Sequence, residues 1–149
     1  MATIHLPNDF KEFLKLLNAH QVEYLLIGGY AVGYHGYPRA TADMDIWIAI
    51  NPVNSEKIVT VLKEFGFNVA GLSAELFLKE WQIIRLGLPP IRIEITTSIS
   101  GVNFSECYQS KIEDELDGVK INLISLNYLK INKRASGRHQ DLADLEKLP

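Results

Sequence analysis

The chain has 149 residues, of which 47% are hydrophobic and 22% are charged, and this suits one globular domain (1–149) with a sizeable core. Its 15 basic and 18 acidic residues give a net charge of −3, which argues against a domain that grips long nucleic acid through a basic excess. No apolar run reaches the ~20 residues that cross a bilayer, and the N-terminus lacks a basic, apolar leader. We therefore expect a soluble, cytoplasmic protein that needs no membrane, and the lone Cys107 cannot form an internal disulfide.

Hydrophobic periodicity predicts an alternation of helices and short strands. Apolar residues at helical spacing follow Asn8, and the apolar run Tyr24–Ile27 ends at a pair of glycines. No repeat or linker interrupts the chain, so the pattern indicates a single α/β (α+β) domain, with residues 67–80 ambiguous. In chain order it predicts a helix over 8–20, a strand over 24–27, a short helix over 30–35, a strand over 44–50, a helix over 55–65, strands over 81–86, 91–97 and 119–123, and helices over 126–136 and 141–148 hinged at Gly137.

Two aspartates share one face of the second predicted strand. Side chains alternate along a strand, so the large apolar residues at every second position from Met44 to Ile50 face the core. Asp43 and Asp45 then lie together on the other face, about 6–7 Å apart. Neighbouring carboxylates repel each other unless a cation lies between them, and Mg²⁺ prefers such oxygen ligands. By itself the pair is also typical of the polar outer face of an antiparallel strand.

The strand predicted over 91–97 repeats this arrangement. Its isoleucines take the core face and leave Arg92, Glu94 and Thr96 on the opposite one. If the two strands are neighbours, Glu94 joins Asp43 and Asp45 on one open face. Three carboxylates can hold two metal ions, which activate an attacking hydroxyl and stabilise a leaving pyrophosphate. These three residues are therefore the candidate catalytic and metal-binding residues, with two Mg²⁺ ions expected and Mn²⁺ as a substitute.

A glycine pair precedes the acidic strand by one short helix. Gly28 and Gly29 end a buried strand at the start of that helix, where free backbone amides bind phosphate and glycine permits close approach. Arg39 and Thr41 stand just before the acidic pair, and an arginine there can hold a phosphate through two hydrogen bonds. The plainer alternatives, an ordinary turn and a surface arginine, stay open.

Two stretches of the chain together resemble a known family. Residues 26–48 combine an apolar strand, Gly-Gly, a short helix and Asp-x-Asp, and residues 129–145 contain the pattern Lys-x-Ala-x-Gly-Arg-x₂-Asp-Leu-x-Asp-Leu. The first pattern is similar to the signature of the polymerase-β-type nucleotidyltransferase superfamily, in which a third carboxylate follows on a later strand. The two together resemble its minimal bacterial branch, which includes the AbiEii-like toxins. The sequences are LIGGYAVGYHGYPRATADMDIWI and LKINKRASGRHQDLADL.

This resemblance implies a mixed β-sheet with helices packed on one face and a C-terminal helical pair. It also implies that Lys133 and Arg138 approach a nucleoside triphosphate and that Asp141 orients one of them. Two positions depart from the family pattern. Many relatives have Ser in place of Gly29, and many have Asp in place of Glu94, whose longer side chain can still serve as a ligand.

The sequence therefore predicts a Mg²⁺-dependent, ATP-binding type of enzyme that moves a nucleotidyl group from a nucleoside triphosphate to an acceptor hydroxyl. A protein hydroxyl, a small molecule and a tRNA end all stay open as acceptors, as do a protein partner and a homodimer. The main alternative is a catalytically silent binding protein of the same fold, such as a toxin–antitoxin partner or a regulator. For Lys133 and Arg138 themselves, the alternative interpretation is that they are solvated helix charges. A purely structural α/β domain ranks last.

Overall fold

The computed structural model describes residues 4–39, 41 and 43–149. This part of the chain alternates helices and strands, and none of its helices combines the length and apolar character needed to span a bilayer. The helices are α1 (Asn8–Ala19), α2 (Gly28–Tyr34), α3 (Pro52–Glu64), α4 (Phe104–Gln109), α5 (Leu126–Ser136) and α6 (His139–Lys147). The strands are β1 (Tyr24–Ile27), β2 (Asp43–Ile48), β3 (Ile83–Leu88), β4 (Ile91–Thr96), β5 (Ile112–Leu116) and β6 (Val119–Leu123), and a 3₁₀ turn spans Ala74–Leu78.

The described strands form one mixed sheet in the order β3-β4-β2-β1-β6-β5. β2 runs parallel to β4 and antiparallel to β1, while β1 runs parallel to β6. The outer strands β3 and β5 each pair antiparallel with their neighbour. The acidic strands β2 and β4 are therefore direct neighbours, with β1 on one side of them and β3 on the other.

The two faces of the sheet have different partners. Met44, Ile46 and Ile48 of β2 are fully buried on the face that packs against α1, and α3 packs against α1 in turn. The other face carries the carboxylates, and α5 lies over it. The loop after β4 supports α5, since the Asn132 side chain donates a hydrogen bond to the Ser100 carbonyl at 2.9 Å. A single α/β domain with a mixed sheet and a C-terminal helical pair is thus confirmed.

The C-terminal pair is hinged where the sequence predicts. Ser125 caps α5 by accepting a hydrogen bond from the Tyr128 amide, and Gly137 ends the helix with φ 66°, in the left-handed region that favours glycine. The Gly137 amide bonds back to the Lys133 carbonyl at 3.0 Å. This turn lets α6 fold back beside α5.

The structure corrects several predicted boundaries. α2 begins at Gly28 rather than at residue 30, β2 ends at Ile48, and β3 begins at Ile83 because Trp81 has a φ of 60° that interrupts an extended strand. The 3₁₀ turn, α4 and β5 were not predicted. β5 is an acidic edge strand that an Asp117-Gly118 hairpin turn joins to β6. The two turn residues have φ of 50° and 83°. This dipeptide is a hairpin signal that the pattern of apolar residues did not reveal.

Candidate functional site

One cross-strand row of the sheet carries two of the predicted carboxylates. Ile27 of β1 pairs with Asp45 of β2, Asp45 pairs with Glu94 of β4, and Glu94 pairs with Arg85 of β3. Paired residues in neighbouring strands point to the same face, so Asp45 and Glu94 lie side by side. Asp43 lies two residues along β2 and pairs with Arg92. The structure thus places all three predicted carboxylates on one face.

Two arginines hold the outer carboxylates. Arg92 donates two hydrogen bonds to Asp43, from Nε at 3.0 Å and from Nη2 at 2.8 Å. Arg85 Nε donates to Glu94 at 2.8 Å, and Arg92 Nη2 lies 3.6 Å from the same carboxylate. Among residues 4–39, 41 and 43–149, no group of three His, Cys, Asp or Glu side chains converges closely enough to hold a metal ion. The three carboxylates share a face here without converging on one point.

Asp45 is the least neutralised member of the row. Its burial raises the pKa of the carboxyl group to about 7, with further increases from a hydrogen bond with Glu94 and from the charges of Glu94 and Asp43. The Lys133 ammonium opposes this increase only partly. The row therefore holds more negative charge than its surroundings stabilise, which favours the arrival of a cation.

The glycine pair packs directly against this row. A Cβ on Gly28, whose φ is 67°, would lie 2.1 Å from Asp45 Oδ2, so no other residue fits beside the carboxylate. A Cβ on Gly29 would lie 2.6 Å from Thr41 Oγ1. The Thr41 hydroxyl donates a hydrogen bond to the Asp43 carbonyl at 3.1 Å. Thr41 thus gives a physical reason for glycine where many members of the resembling family have serine, and it supplies a hydroxyl at the same place.

A buried ion network forms the opposite wall. Lys133 is only 5% exposed and donates to Asp141 and to Asp144, each at 3.1 Å. Asp144 is fully buried and also accepts two hydrogen bonds from Arg39, at 2.8 and 2.9 Å, and one from Gln140 at 2.9 Å. Lys133 is therefore not a solvated helix charge. The network ties α5 and α6 to the loop that precedes β2.

The two aspartates of this wall are strongly stabilised as anions. Burial alone would raise the pKa of Asp141, but hydrogen bonds from Arg138, Ser136 and Lys133 outweigh burial and hold the pKa well below its ordinary value. The pKa of Asp144 is lowered in the same way, since hydrogen bonds from Arg39, Lys133 and Gln140 exceed the effect of burial. Asp141 was predicted from the sequence, whereas Asp144 was missed. The signal was present, because the two aspartates stand three apart on one helix face.

Two adjoining clefts connect the walls. The smaller, which we call the glycine-loop cleft, has a volume of about 330 Å³, and the larger, the strand-edge cleft, about 580 Å³. Of the nine predicted site residues, Glu94 lines only the strand-edge cleft. The other eight line the glycine-loop cleft: Gly28, Gly29, Arg39, Thr41, Asp43, Asp45, Lys133 and Arg138.

Comparison with known proteins places the fold. No protein-family model matches the sequence, and no curated protein matches it. Among solved structures, a candidate nucleotidyltransferase from Thermotoga maritima aligns with a TM-score of 0.63 and 19% identity over 93% of this chain and 88% of its own. The chain has a nucleotidyltransferase fold. An antigenic nucleotidyltransferase-like protein from Paracoccidioides brasiliensis also aligns, with a TM-score of 0.54 and 19% identity over 93% of this chain and 72% of its own.

These similarities confirm the predicted nucleotidyltransferase-type architecture. At 19% identity they concern the fold alone. The AbiEii-like branch, the metal ions, the nucleotide and the acceptor stay predictions from the sequence.

Proposed function

We propose that this protein is a Mg²⁺-dependent nucleotidyltransferase, which transfers a nucleotidyl group from a nucleoside triphosphate to an acceptor hydroxyl and releases pyrophosphate. One observation carries the proposal. Asp45 lies directly against the Gly28 backbone and pairs with Glu94 across the sheet, in the strand-edge cleft that Lys133 and Arg138 also line. Carboxylates that can bind a divalent cation thus face a lysine and an arginine that can bind phosphate.

The carboxylate row fits a divalent cation in its chemistry. Its donors are all carboxylate oxygens, which Mg²⁺ prefers, and the raised pKa of Asp45 indicates that positive charge is needed there. Asp43, Asp45 and Glu94 would hold the metal, and Arg92 and Arg85 would then release Asp43 and Glu94. When bound, Mg²⁺ would supply a Lewis acid that neutralises the phosphates and lowers the pKa of the acceptor hydroxyl.

The residues of the chain itself have distinct roles in this proposal. The Gly28–Gly29 backbone lets phosphate oxygens approach closely because neither residue has a Cβ. Arg138, whose side chain is 79% exposed, lines the glycine-loop cleft and can pair with the triphosphate. Lys133 lines the same cleft and is buried, so it contributes its positive charge without being exposed to solvent. Glu94 accepts the proton of the acceptor hydroxyl as its oxygen attacks the α-phosphorus.

A second candidate function is favoured by the arginine pairs. The two hydrogen bonds between Arg92 and Asp43 neutralise a predicted metal ligand without any metal. A protein that keeps the fold and binds a partner or a nucleotide without catalysis would retain such pairs permanently. The two functions differ in whether a divalent ion displaces the arginines.

Calorimetric titration with ATP, GTP, CTP and UTP tests the proposal, in Mg²⁺ and in EDTA. We expect at least one triphosphate to bind in Mg²⁺ and to lose that binding in EDTA and in Asp45→Asn. Glu115→Gln, which removes an exposed carboxylate on β5, serves as the matched control and retains binding. Equal binding in EDTA favours the silent binding protein, and no binding of any triphosphate refutes the proposal.

A further inference from the structure

The two ends of the cross-strand row that carries Asp45 and Glu94 differ from each other. Ile27, which directly precedes the glycine pair, stands at one end of the row and Arg85 at the other, with Asp45 and Glu94 between them. Neighbouring strands are about 4.8 Å apart, so the ends of the row are separated by about 14 Å. The glycine-loop cleft lies at the β1 end of the row, whereas the strand-edge cleft runs along the whole row from Ile27 and Gly28 and is the one that reaches Arg85 on β3.

In-line transfer gives each end a role, and this step rests on the proposed function. The attacking and leaving oxygens lie on opposite sides of the phosphorus in phosphoryl and nucleotidyl transfer. If pyrophosphate leaves over Gly28 and Gly29, the acceptor hydroxyl must arrive from the β4–β3 side. The acceptor then occupies the β3 end of the strand-edge cleft.

The β3 end of this cleft is unusual for a protein surface. Trp81 is 64% exposed and Ile83 is 52% exposed, and both line the cleft together with Glu94. Trp81 has a φ of 60°, which bulky residues rarely adopt, and its amide donates to Ser98 Oγ at 3.0 Å. Arg85 lies next to them, and 55% of its side chain is exposed. An indole, an aliphatic side chain and a guanidinium therefore share one open wall.

We propose that this wall binds a nucleotide as the acceptor, with its base on Trp81 and Ile83 and its phosphate near Arg85. An exposed indole stacks on any nucleobase, and a guanidinium released from Glu94 by a cation pairs with phosphate. A free nucleotide and the end of a single-stranded RNA present the same chemistry to this wall.

The reaction balances with these parts. The acceptor hydroxyl oxygen forms a bond to the α-phosphorus, and its proton goes to Glu94. The bond between the α-phosphorus and the oxygen that bridges to the β-phosphate breaks, and that oxygen keeps the electron pair as pyrophosphate leaves. The product is a phosphodiester between the acceptor and the donor nucleoside.

Binding of a 5′-labelled pentaribonucleotide, followed by fluorescence anisotropy in Mg²⁺, tests the wall without requiring turnover. We expect Trp81→Ala to weaken binding about tenfold, since stacking on one aromatic side chain accounts for such a loss, and Trp81→Phe to restore most of it. Arg85→Gln should weaken binding and reduce its dependence on salt. Leu88→Ala is the matched control, because Leu88 is 80% exposed on the same strand but outside the cleft.

Two further measurements, competition by AMP and transfer of a radioactive label, identify the source of the ligand and the class of acceptor. Competition by AMP at low concentration would indicate a free nucleotide, and its failure to compete would indicate an RNA end. With α-labelled triphosphate, label should pass to AMP or to the RNA and not to an RNA blocked at its 3′ end. A tyrosine-containing peptide labelled equally by the wild type and Trp81→Ala would overturn the inference in favour of a protein acceptor.

Failure of this inference is distinct from failure of the proposed function. If triphosphate binds in Mg²⁺ but Trp81→Ala and Leu88→Ala bind RNA and AMP as the wild type does, the acceptor wall is refuted and the transferase proposal stands. The acceptor wall is equally refuted if neither RNA nor AMP binds. If triphosphate binding itself is absent, the proposed function fails first. Circular dichroism and thermal melting of each variant verify that it is folded.

Discussion

The carboxylates on the two walls of the cleft differ in how far neighbouring cations neutralise them. On the α5–α6 wall, fully buried Asp144 is matched by Lys133 and Arg39, and its pKa is lowered. On the sheet wall, Asp45 lies between other carboxylates and its pKa rises to about 7. The protein itself neutralises the aspartates of the first wall. On the second wall arginines pair with Asp43 and Glu94, but Lys133 only partly opposes the charge of Asp45. Carboxylates that are matched internally hold the fold together, whereas unmatched ones are free to bind a ligand.

The largest expected effect is on the matched wall. Asp144→Asn removes a buried anion and leaves Lys133 and Arg39 with too little negative charge, so we expect the free energy of unfolding to fall by about 3–5 kcal/mol. Urea denaturation measures this loss. Glu146→Gln, an exposed change on the same helix, should alter stability by less than about 0.5 kcal/mol. Equal stability of the two variants would mean that the buried network does not hold α6.

The same wall should set the response to acid. Because the pKa values of Asp141 and Asp144 are lowered on folding, their stabilisation is fully present above the unfolded pKa of about 4 and is lost as pH falls through the folded values. Urea denaturation at pH 7, 5 and 3 should show a steeper loss for the wild type than for Asp141→Asn below pH 4. By pH 3 the difference between the two proteins amounts to about 1 kcal/mol, since that pH lies about one unit below the unfolded pKa and one unit is worth about 1.4 kcal/mol. Parallel curves for the two proteins would contradict this assignment.

Arg138 should affect nucleotide binding more than stability. Its side chain is largely exposed and faces the glycine-loop cleft, so Arg138→Gln should weaken triphosphate binding about tenfold, or about 1–2 kcal/mol, and leave nucleoside binding unchanged. Arg134→Gln is the matched control, since Arg134 is exposed and does not line the cleft. Calorimetry that finds the same small loss in both variants would identify a general surface-charge effect.

The smallest expected effect has the opposite sign. Asp45→Asn keeps the shape of the side chain and removes repulsion from Asp43 and Glu94, so the metal-free protein should be as stable as the wild type or gain about 1 kcal/mol at pH 8. Thermal melting in EDTA measures the change. A loss of several kcal/mol would show that the carboxylate is structural, and the contrast between the two walls would disappear.

Much of the fold follows from local patterns in the sequence. α1, β1 and β4 and the turn at Gly137 lie close to their predicted positions, because their apolar spacing and glycine positions are local properties of the chain. β5 and α4 were missed, since the acidic Ile112–Leu116 lacks an apolar face and Phe104–Gln109 is too short for a periodic signal. Strand alternation likewise predicts which residues share a face, and this prediction placed Asp43, Asp45 and Glu94 on one side of the sheet.

The sequence alone determined the chemical types present and their faces: carboxylates on β2 and β4, and a glycine pair after β1. Only the tertiary structure decided which charges meet. The pairing of Arg92 with Asp43 joins residues 49 apart, and that of Arg39 with Asp144 joins residues 105 apart. Periodicity reports only on neighbours within one element, whereas such contacts arise when strands pair and helices fold back. For the same reason Lys133, which in the sequence is one of several charges on a helix, is in the fold a buried cation at the centre of a network.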